Sequence, residues 1–178
     1  MVINQIKKIL EDNEFDCSLA VESKEIPFEK LLVDFGVDAK EREKVLEIIS
    51  NPLPFPELNS DLVSSSSAVP YRIQFSSSLP FKIQDVALSQ VASLILFLNQ
   101  FIELPGFELN ELEGQVIYRY VWINYPSSVD SPLLMSVIGS IMLNLSLFND
   151  TIESLADGQV TFNDLLSQIV KIAENSSS

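Results

Sequence analysis

Three carboxylates that lie close together in the chain, Glu108, Glu111 and Glu113, are a first candidate for acid and base chemistry. Paired carboxylates can do such work when burial separates their pKa values. This cluster, however, runs into Gly114, and a turn that contains glycine is usually exposed to solvent. It also lacks the alternating aspartates of a calcium-binding loop. We therefore expect a solvated acidic turn here.

Few other side chains could carry catalysis. The chain has no histidine, and its one cysteine, Cys17, has four acidic residues within six positions, which should raise the thiol pKa and suppress its reactivity. None of the 5 glycines has the spacing of a phosphate-binding loop. We expect no catalytic, cofactor-binding or metal-binding residues, and no enzyme activity. The alternative is a small-molecule-binding or hydrolytic domain with a pocket between a sheet and the middle helix.

The segment QVIYRYVWINY, which begins at residue 115, is the most distinctive feature of the sequence. In a strand, Tyr118, Tyr120 and Trp122 would share one face, while Arg119 would lie on the other. Both faces are more apolar than is usual for an antiparallel strand, which ordinarily carries polar residues on its solvated side. Either helices cover both faces, or the aromatic row is a contact surface. Arg72, in another strand-like segment, and Arg119 could each pair with a carboxylate or bind an anion. The residues that we predict to form an interaction surface are therefore the three aromatic residues and the two arginines: Tyr118, Tyr120, Trp122, Arg119 and Arg72.

The charge balance limits the classes of partner. The 178 residues include 11 basic and 25 acidic side chains, which gives a net charge of -14. Such a chain repels nucleic-acid phosphates and anionic lipid headgroups, so we expect neither as a partner. A single cysteine allows no internal disulfide, and the N-terminal residues show no apolar signal-peptide stretch, so the sequence predicts a cytoplasmic protein.

Two long uncharged runs resemble membrane spans. They cover residues 86–102 and 131–149, and both contain several Ser, Asn or Gln residues. A span needs about 20 predominantly apolar residues. Both runs are short or too polar by that measure, so we expect buried helices and no membrane span.

The first part of the chain is predicted to be helical. Apolar residues recur at helical spacing near the start: Val2, Ile3, Ile6, Ile9 and Leu10. Asp38 followed by Glu41 has the pattern of a capping box for a second helix that ends near residue 50. The alternating prolines at 52, 54 and 56 and the serines at 64–67 then predict an extended connector. The domain prediction is therefore a helical region with a proline-rich connector at 1–61 and an α+β domain at 62–178.

The second part alternates hairpins and helices. The patterns predict strands at 71–75 and 79–83 with a turn at Ser77 and Ser78, a helix at 85–102, and a hairpin from residue 107 to the end of the aromatic segment. Helices are expected at 133–147, at 151–157 before Gly158, and after the capping pair Thr161 and Asp164. This order favours an α+β fold in which an antiparallel sheet, built from two hairpins, is flanked by helices.

Three stretches resemble a known family. RIQFSSSLPFKIQ, LNQFIELPGFELNELEGQVIYRYVWIN and DSPLLMSVIGSIMLNLSLFNDTIESLADG are similar to the YbjN-like proteins, in particular to their cyanobacterial and chloroplast branch. The resemblance covers about residues 70–158. It implies a small α+β domain of the type III secretion chaperone type, often a homodimer, with a peptide-binding or chaperone-like role. It provides no catalytic residue to carry over.

Together these features predict a non-enzymatic interaction protein. We expect it to form a homodimer through apolar surface of the second hairpin and the neighbouring helix, and to bind a peptide or protein partner. With so few charges after residue 62, the chain has more apolar surface than one core of this size obviously covers.

Overall fold

The computed structural model describes residues 2–20, 29–53, 70–104, 106–124 and 129–176. Within these ranges the chain is α+β, with a six-stranded antiparallel sheet of strand order β1-β2-β3-β4-β6-β5. The elements are α1 (Val2–Asp12), β1 (Cys17–Ala20), β2 (Lys30–Val37), β3 (Glu43–Pro52), β4 (Tyr71–Ser78), α2 (Leu88–Leu98), β5 (Phe107–Asn110), β6 (Gln115–Asn124), α3 (Ser131–Ala156) and α4 (Phe162–Ser176). A short 3-10 turn, Asp85–Ala87, precedes α2.

The chain forms two compact units. Unit one comprises Met1–Ser77 and Arg119–Ser140, and unit two comprises Ser78–Tyr118 and Ile141–Ser178. The boundary that we predict between residues 61 and 62 lies outside the described residues, as does most of the proline-rich and serine-rich connector.

The predicted first helix is confirmed as α1. Its apolar spacing buries Val2, Ile3, Ile6 and Leu10 on one face. Lys7 and Glu11, one turn apart, form an ion pair on the opposite side. The helix packs on β1, β2 and β3, so its apolar stripe helps to form the core of unit one.

The predicted second helix, 38–50, is wrong, because this segment contains the β2–β3 turn and strand β3. Leu46 and Ile48 are fully buried and alternate with half-buried neighbours, which is the period of a strand. Asp38 caps the hairpin turn and not a helix: its Oδ1 accepts the backbone N–H groups of Lys40 and Arg42 at 2.8 and 2.9 Å. Glu41 has a positive φ of 60°, which breaks a helical course.

The first predicted hairpin is only half correct. Strand β4 forms as expected, but residues 79–83 do not form its partner strand. The segment is instead tied to β6, since the N–H of Leu79 donates to the Val116 carbonyl and the N–H of Ile83 donates to the Gly114 carbonyl, both at 2.9 Å. Pro80 lies between them and has no N–H to donate to a regular ladder.

The second hairpin is confirmed as β5 and β6, which pair antiparallel from Phe107 opposite Tyr118 to Asn110 opposite Gln115. Gly114, at a positive φ of 58°, closes the turn as its glycine predicts. The helix predicted at 85–102 is present as the 3-10 turn and α2.

The two helices predicted at 133–147 and 151–157 are one continuous helix, α3, of 26 residues. Residues 148–150 include neither glycine nor proline, so no local signal interrupts the helix. It ends where Gly158, at a positive φ of 68°, donates its N–H to the Leu155 carbonyl. The capping box of α4 is confirmed, because Asp164 accepts the Thr161 N–H and donates its own N–H to the Thr161 hydroxyl.

The length of α3 removes one argument against a membrane span. The helix is long enough to cross a membrane, and its most apolar 18-residue window has a mean hydropathy of 1.7 and is 28% buried. Core helices of soluble proteins can meet the same criteria of length and composition, so these criteria do not distinguish a core helix from a membrane span. The absence of a membrane span stays a prediction.

Candidate interaction surface

Tyr118 lies in the core of unit two. Its side chain is 0% exposed, and its ring packs edge to face against Phe107 at 5.1 Å between centroids. The phenol O–H donates to the Leu104 carbonyl at 3.0 Å and accepts from the Asn144 amide at 3.2 Å. A ring with no exposed area cannot contact a partner, so the prediction that Tyr118 is part of the interaction surface is wrong.

Tyr120 and Trp122 lie further along β6, in unit one, and both are half-buried. The Tyr120 ring packs against Phe75 of β4 at 5.9 Å between centroids. Among the described residues, Trp122 makes no ring contact and its indole N–H donates to no acceptor. The Trp122 ring is half-buried, so part of its surface is accessible to a partner protein.

The two arginines lie on the opposite face of the sheet from these rings. Side chains alternate between the two faces of a strand, so in β6 Arg119 and Tyr120 lie on different faces. In β4, Arg72 and Phe75 also lie on different faces, and Phe75 is the ring that Tyr120 contacts. Arg119 is half-buried, whereas Arg72 is exposed and forms no salt bridge with any described carboxylate. The structure therefore does not bring the five predicted residues together on one face.

Several exposed apolar side chains were missed by the sequence analysis. In unit one, Ile123 at the end of β6 is 59% exposed, on the face that carries Arg119. In unit two, Leu96 and Phe101 are 70% and 69% exposed. The available signal was the composition of α2, in which apolar residues far outnumber polar ones: a helix of this kind that is not fully buried leaves some apolar residues at the surface.

The acidic cluster is exposed, as predicted: Glu111 and Glu113 lie in the β5–β6 turn, and Glu108 lies in β5. No group of histidine, cysteine or carboxylate side chains among the described residues has the geometry of a metal site. The pKa of the Cys17 thiol is raised, as expected, although burial is the largest cause and Glu11 the second. Lys7 acts in the opposite direction, a neighbour that the linear sequence did not reveal.

Cys17 also lines an open concavity of about 500 Å³ on the outer side of β1, β2 and β3. Its walls include Asp16, Asp34 and Glu43, together with the apolar Leu32 and Val45. The Asp34 carboxylate is already engaged, since it accepts the Gly36 N–H at 2.6 Å. The concavity is therefore acidic and open, and it is not at the place predicted for a small-molecule pocket.

Neither protein-family models nor curated proteins provide a match to this chain. The assignment to a function therefore depends on the surfaces described above.

Proposed function

We propose that this protein is a non-enzymatic interaction protein of the YbjN-like, secretion-chaperone-like type, which forms a homodimer and binds a protein or peptide partner. The fold class supports the assignment, since the described residues form an α+β chain with an antiparallel sheet, which is the class that the resemblance implies. The LPGF stretch supports it further, because it has a specific structural role. Asn99 donates to the Phe107 carbonyl at 2.8 Å and accepts the Phe107 N–H at 2.9 Å, which ties the end of α2 to the start of β5.

The observation that carries the proposal is the exposed end of β6. Trp122 on one face and Ile123 on the other are both accessible in the single chain, and the indole N–H has no acceptor among the described residues. Aromatic side chains that are partly exposed in a monomer are enriched at the centres of protein interfaces. A twofold interface needs only one patch that is complementary to itself.

Sedimentation equilibrium of the full chain at tens of micromolar tests the dimer. We expect Trp122→Ala to weaken the dimer by about 2 kcal/mol or more, which is roughly a thirtyfold increase in Kd. Val37→Ala is the matched control, because Val37 is 56% exposed at the end of β2, outside the β5–β6 hairpin and its neighbouring helix, and should leave the dimer unchanged. A monomeric wild-type chain, or a dimer that tolerates Trp122→Ala, would contradict the β6 surface.

A further inference from the structure

The outer face of α2 is exposed and carries no charge. Ser89, Ser93, Leu96 and Gln100 follow one another at spacings of three and four residues, and all four are exposed. Leu96, at 70% exposure, is the large apolar side chain on this face. The face is otherwise polar, so Leu96 and the aromatic rings beside it provide its apolar surface.

An aromatic cluster joins this face to the start of α4. Phe97 contacts Phe101 at 5.1 Å and Phe162 at 6.1 Å between ring centroids, in edge-to-face geometry in both cases. Phe101 is 69% exposed, while Phe97 and Phe162 are half-buried. We call the surface formed by Leu96, Phe97, Phe101 and Phe162 the α2–α4 patch. Single exposed apolar residues are ordinary, but a connected set of this kind marks interaction sites.

A shallow uncharged concavity of about 330 Å³ adjoins the patch. Its walls are Ser89, Gln90, Ser93, Thr161, Phe162 and Asn163. The Gln90 side chain accepts the Phe162 N–H at 2.9 Å, which fixes the first turn of α4 against α2. The hydroxyl and amide groups of this wall supply hydrogen-bonding capacity at the rim of an apolar patch, as protein interfaces do.

Most charged residues of unit two are acidic. Unit two contains ten acidic residues and two basic ones over its whole length. Asp85 precedes α2, Glu103 follows it, and Asp164 lies in the first turn of α4; all three are exposed. A second copy of the chain would bring the same acids against them, and juxtaposed like charges oppose association. A partner with basic residues beside an apolar face would be electrostatically complementary.

We propose that the α2–α4 patch docks an amphipathic helix of a partner protein, with the apolar face on the patch and flanking Lys or Arg residues near Asp85, Glu103 and Asp164. Helix-in-groove recognition uses apolar anchors on one face of the bound helix, which matches a surface made by two helices. This inference rests on the proposed function, since it names the chemical class of the partner for a protein that acts by binding others.

The test uses the full chain and two synthetic 18-residue peptides that carry a fluorophore. One is an amphipathic helix of Leu and Lys, and the other has the same composition with its apolar face scrambled. Fluorescence anisotropy is measured with the wild type, with the double variant Leu96→Ser/Phe101→Ser, and with Leu112→Ser. Leu112 is 99% exposed beside Glu111 and Glu113, so its substitution removes an apolar side chain without altering charge.

We expect the wild type and Leu112→Ser to bind the amphipathic peptide equally, and the double variant to bind it at least about tenfold more weakly. Binding should weaken as salt is raised, because the flanking contacts are between charges. Equal binding by the double variant, or equal binding of the scrambled peptide, would show that bulk charge alone attracts the peptide and would overturn the proposal. Circular dichroism of the double variant checks its fold; both replaced side chains are mostly exposed, so we expect no change.

Two further measurements separate this inference from the proposed function. If the double variant loses self-association in the ultracentrifuge, the patch is an interface between copies of the chain, and the helix-docking proposal fails. If Trp122→Ala abolishes peptide binding while the double variant retains it, the protein binds partners through β6 and the patch is not the site. If the wild type is monomeric but the peptide result is as expected, dimerisation through β6 is contradicted and helix docking on the α2–α4 patch is supported.

Discussion

The two units differ in the chemistry of the polar contacts that hold them. Unit one relies on ionised groups at its sheet: Lys30 bonds Glu47 across β2 and β3 at 2.8 Å, and Arg42 bonds Asp38 within the turn at 2.6 Å. Contacts of this kind depend on pH and are screened by salt. The sheet of unit one should therefore respond to solution conditions.

Unit two is tied together by neutral amides and a phenol. Asn99 holds the backbone of Phe107, Gln115 donates to the carbonyls of Leu79 and Phe81, and Tyr118 bridges Leu104 and Asn144. The amide and phenol groups that form these hydrogen bonds are uncharged at neutral pH. Several of the bonds are part-buried, and a buried polar group that loses its partner lowers the free energy of unfolding. Apart from the ionised Asp164 cap of α4, unit two should therefore respond less to pH and salt than unit one, and more to single substitutions at these amides and the phenol.

The largest expected effect is at Gly106, in the stretch between α2 and β5. A Cβ at this position would lie 2.2 Å from the Asn99 Oδ1, so Gly106→Ala must displace the side chain that holds Phe107. We expect a loss of about 2 to 3 kcal/mol in the free energy of unfolding, and about 2 kcal/mol for Asn99→Ala. Urea unfolding measures both.

A double-mutant cycle then tests the cause. Because both single substitutions remove the same contacts with Phe107, Gly106→Ala/Asn99→Ala should cost about as much as Asn99→Ala alone. Additive losses would mean that Gly106 is required for another reason. That result would also weaken the contrast between the units, because the amide tie would no longer explain the sensitivity of this region.

The next effect concerns the phenol bridge. Tyr118→Phe removes a buried hydroxyl that bonds Leu104 and Asn144, and we expect it to lower the free energy of unfolding by about 1 to 2 kcal/mol. Tyr120→Phe, two residues further along the same strand, is the matched control. Its hydroxyl has no hydrogen bond to a described residue, so it should cost less than about 0.5 kcal/mol. Equal costs would remove the bridge as a stabilising feature.

A smaller effect is expected at Asp38, and it should depend on pH. The side-chain hydrogen bond from Arg42 is the main cause that lowers the Asp38 pKa to about 2, below its ordinary value of 3.8. A lowered folded-state pKa stabilises the protein above pH 3.8, and this stabilisation is lost as the pH falls toward 2. Asn can still accept the two backbone N–H groups, so Asp38→Asn removes only the charge.

We therefore expect Asp38→Asn to have a lower Tm than the wild type at pH 7, and the difference to vanish near pH 2. Glu41→Gln makes the same charge change in the same turn and serves as the control. Thermal unfolding followed by circular dichroism provides the readout. A difference in Tm that stays constant from pH 7 to pH 2 would show that the charge of Asp38 is not what stabilises the turn.

The smallest effect is at the Lys30–Glu47 pair, whose side chains remain 21% and 40% exposed. Partly exposed pairs contribute little, so Glu47→Gln should cost about 0.5 kcal/mol or less, and the cost should disappear in 1 M salt. Urea unfolding at low and high salt checks this. A larger, salt-independent cost would mean that Glu47 acts through packing, and the ionic description of unit one would need revision.

The elements that the sequence predicted well are those whose signals are local. The stripe of α1, the turn at Gly114 and the capping box of Thr161 and Asp164 each depend on contacts within a few residues. The strand β6 was also predicted correctly, because a long run of aromatic and β-branched residues after a turn at Gly114 favours a strand. The general α+β class followed from the order of these elements.

The candidate surface was predicted less well than the fold. Alternation correctly separated Arg119 from the aromatic row, but it could not show that Tyr118 is fully buried while Tyr120 and Trp122 are half-buried. Burial depends on what packs against each position, and those neighbours come from distant parts of the chain. The exposure of Leu96 and Phe101 has the same origin, since a mostly apolar helix does not reveal which of its apolar residues are covered.

What the sequence determined by itself is therefore the chain's caps, turns, charge and strongly periodic segments. The tertiary structure decided between strand and helix at residues 43–52, where Val45, Leu46, Ile48 and Ile49 fit both periods. There β3 pairs with β2 on one side and β4 on the other, and these ladders satisfy its backbone groups. Local propensity is worth tenths of a kcal/mol per residue, so pairing with two neighbours and burial of Leu46 and Ile48 outweigh it.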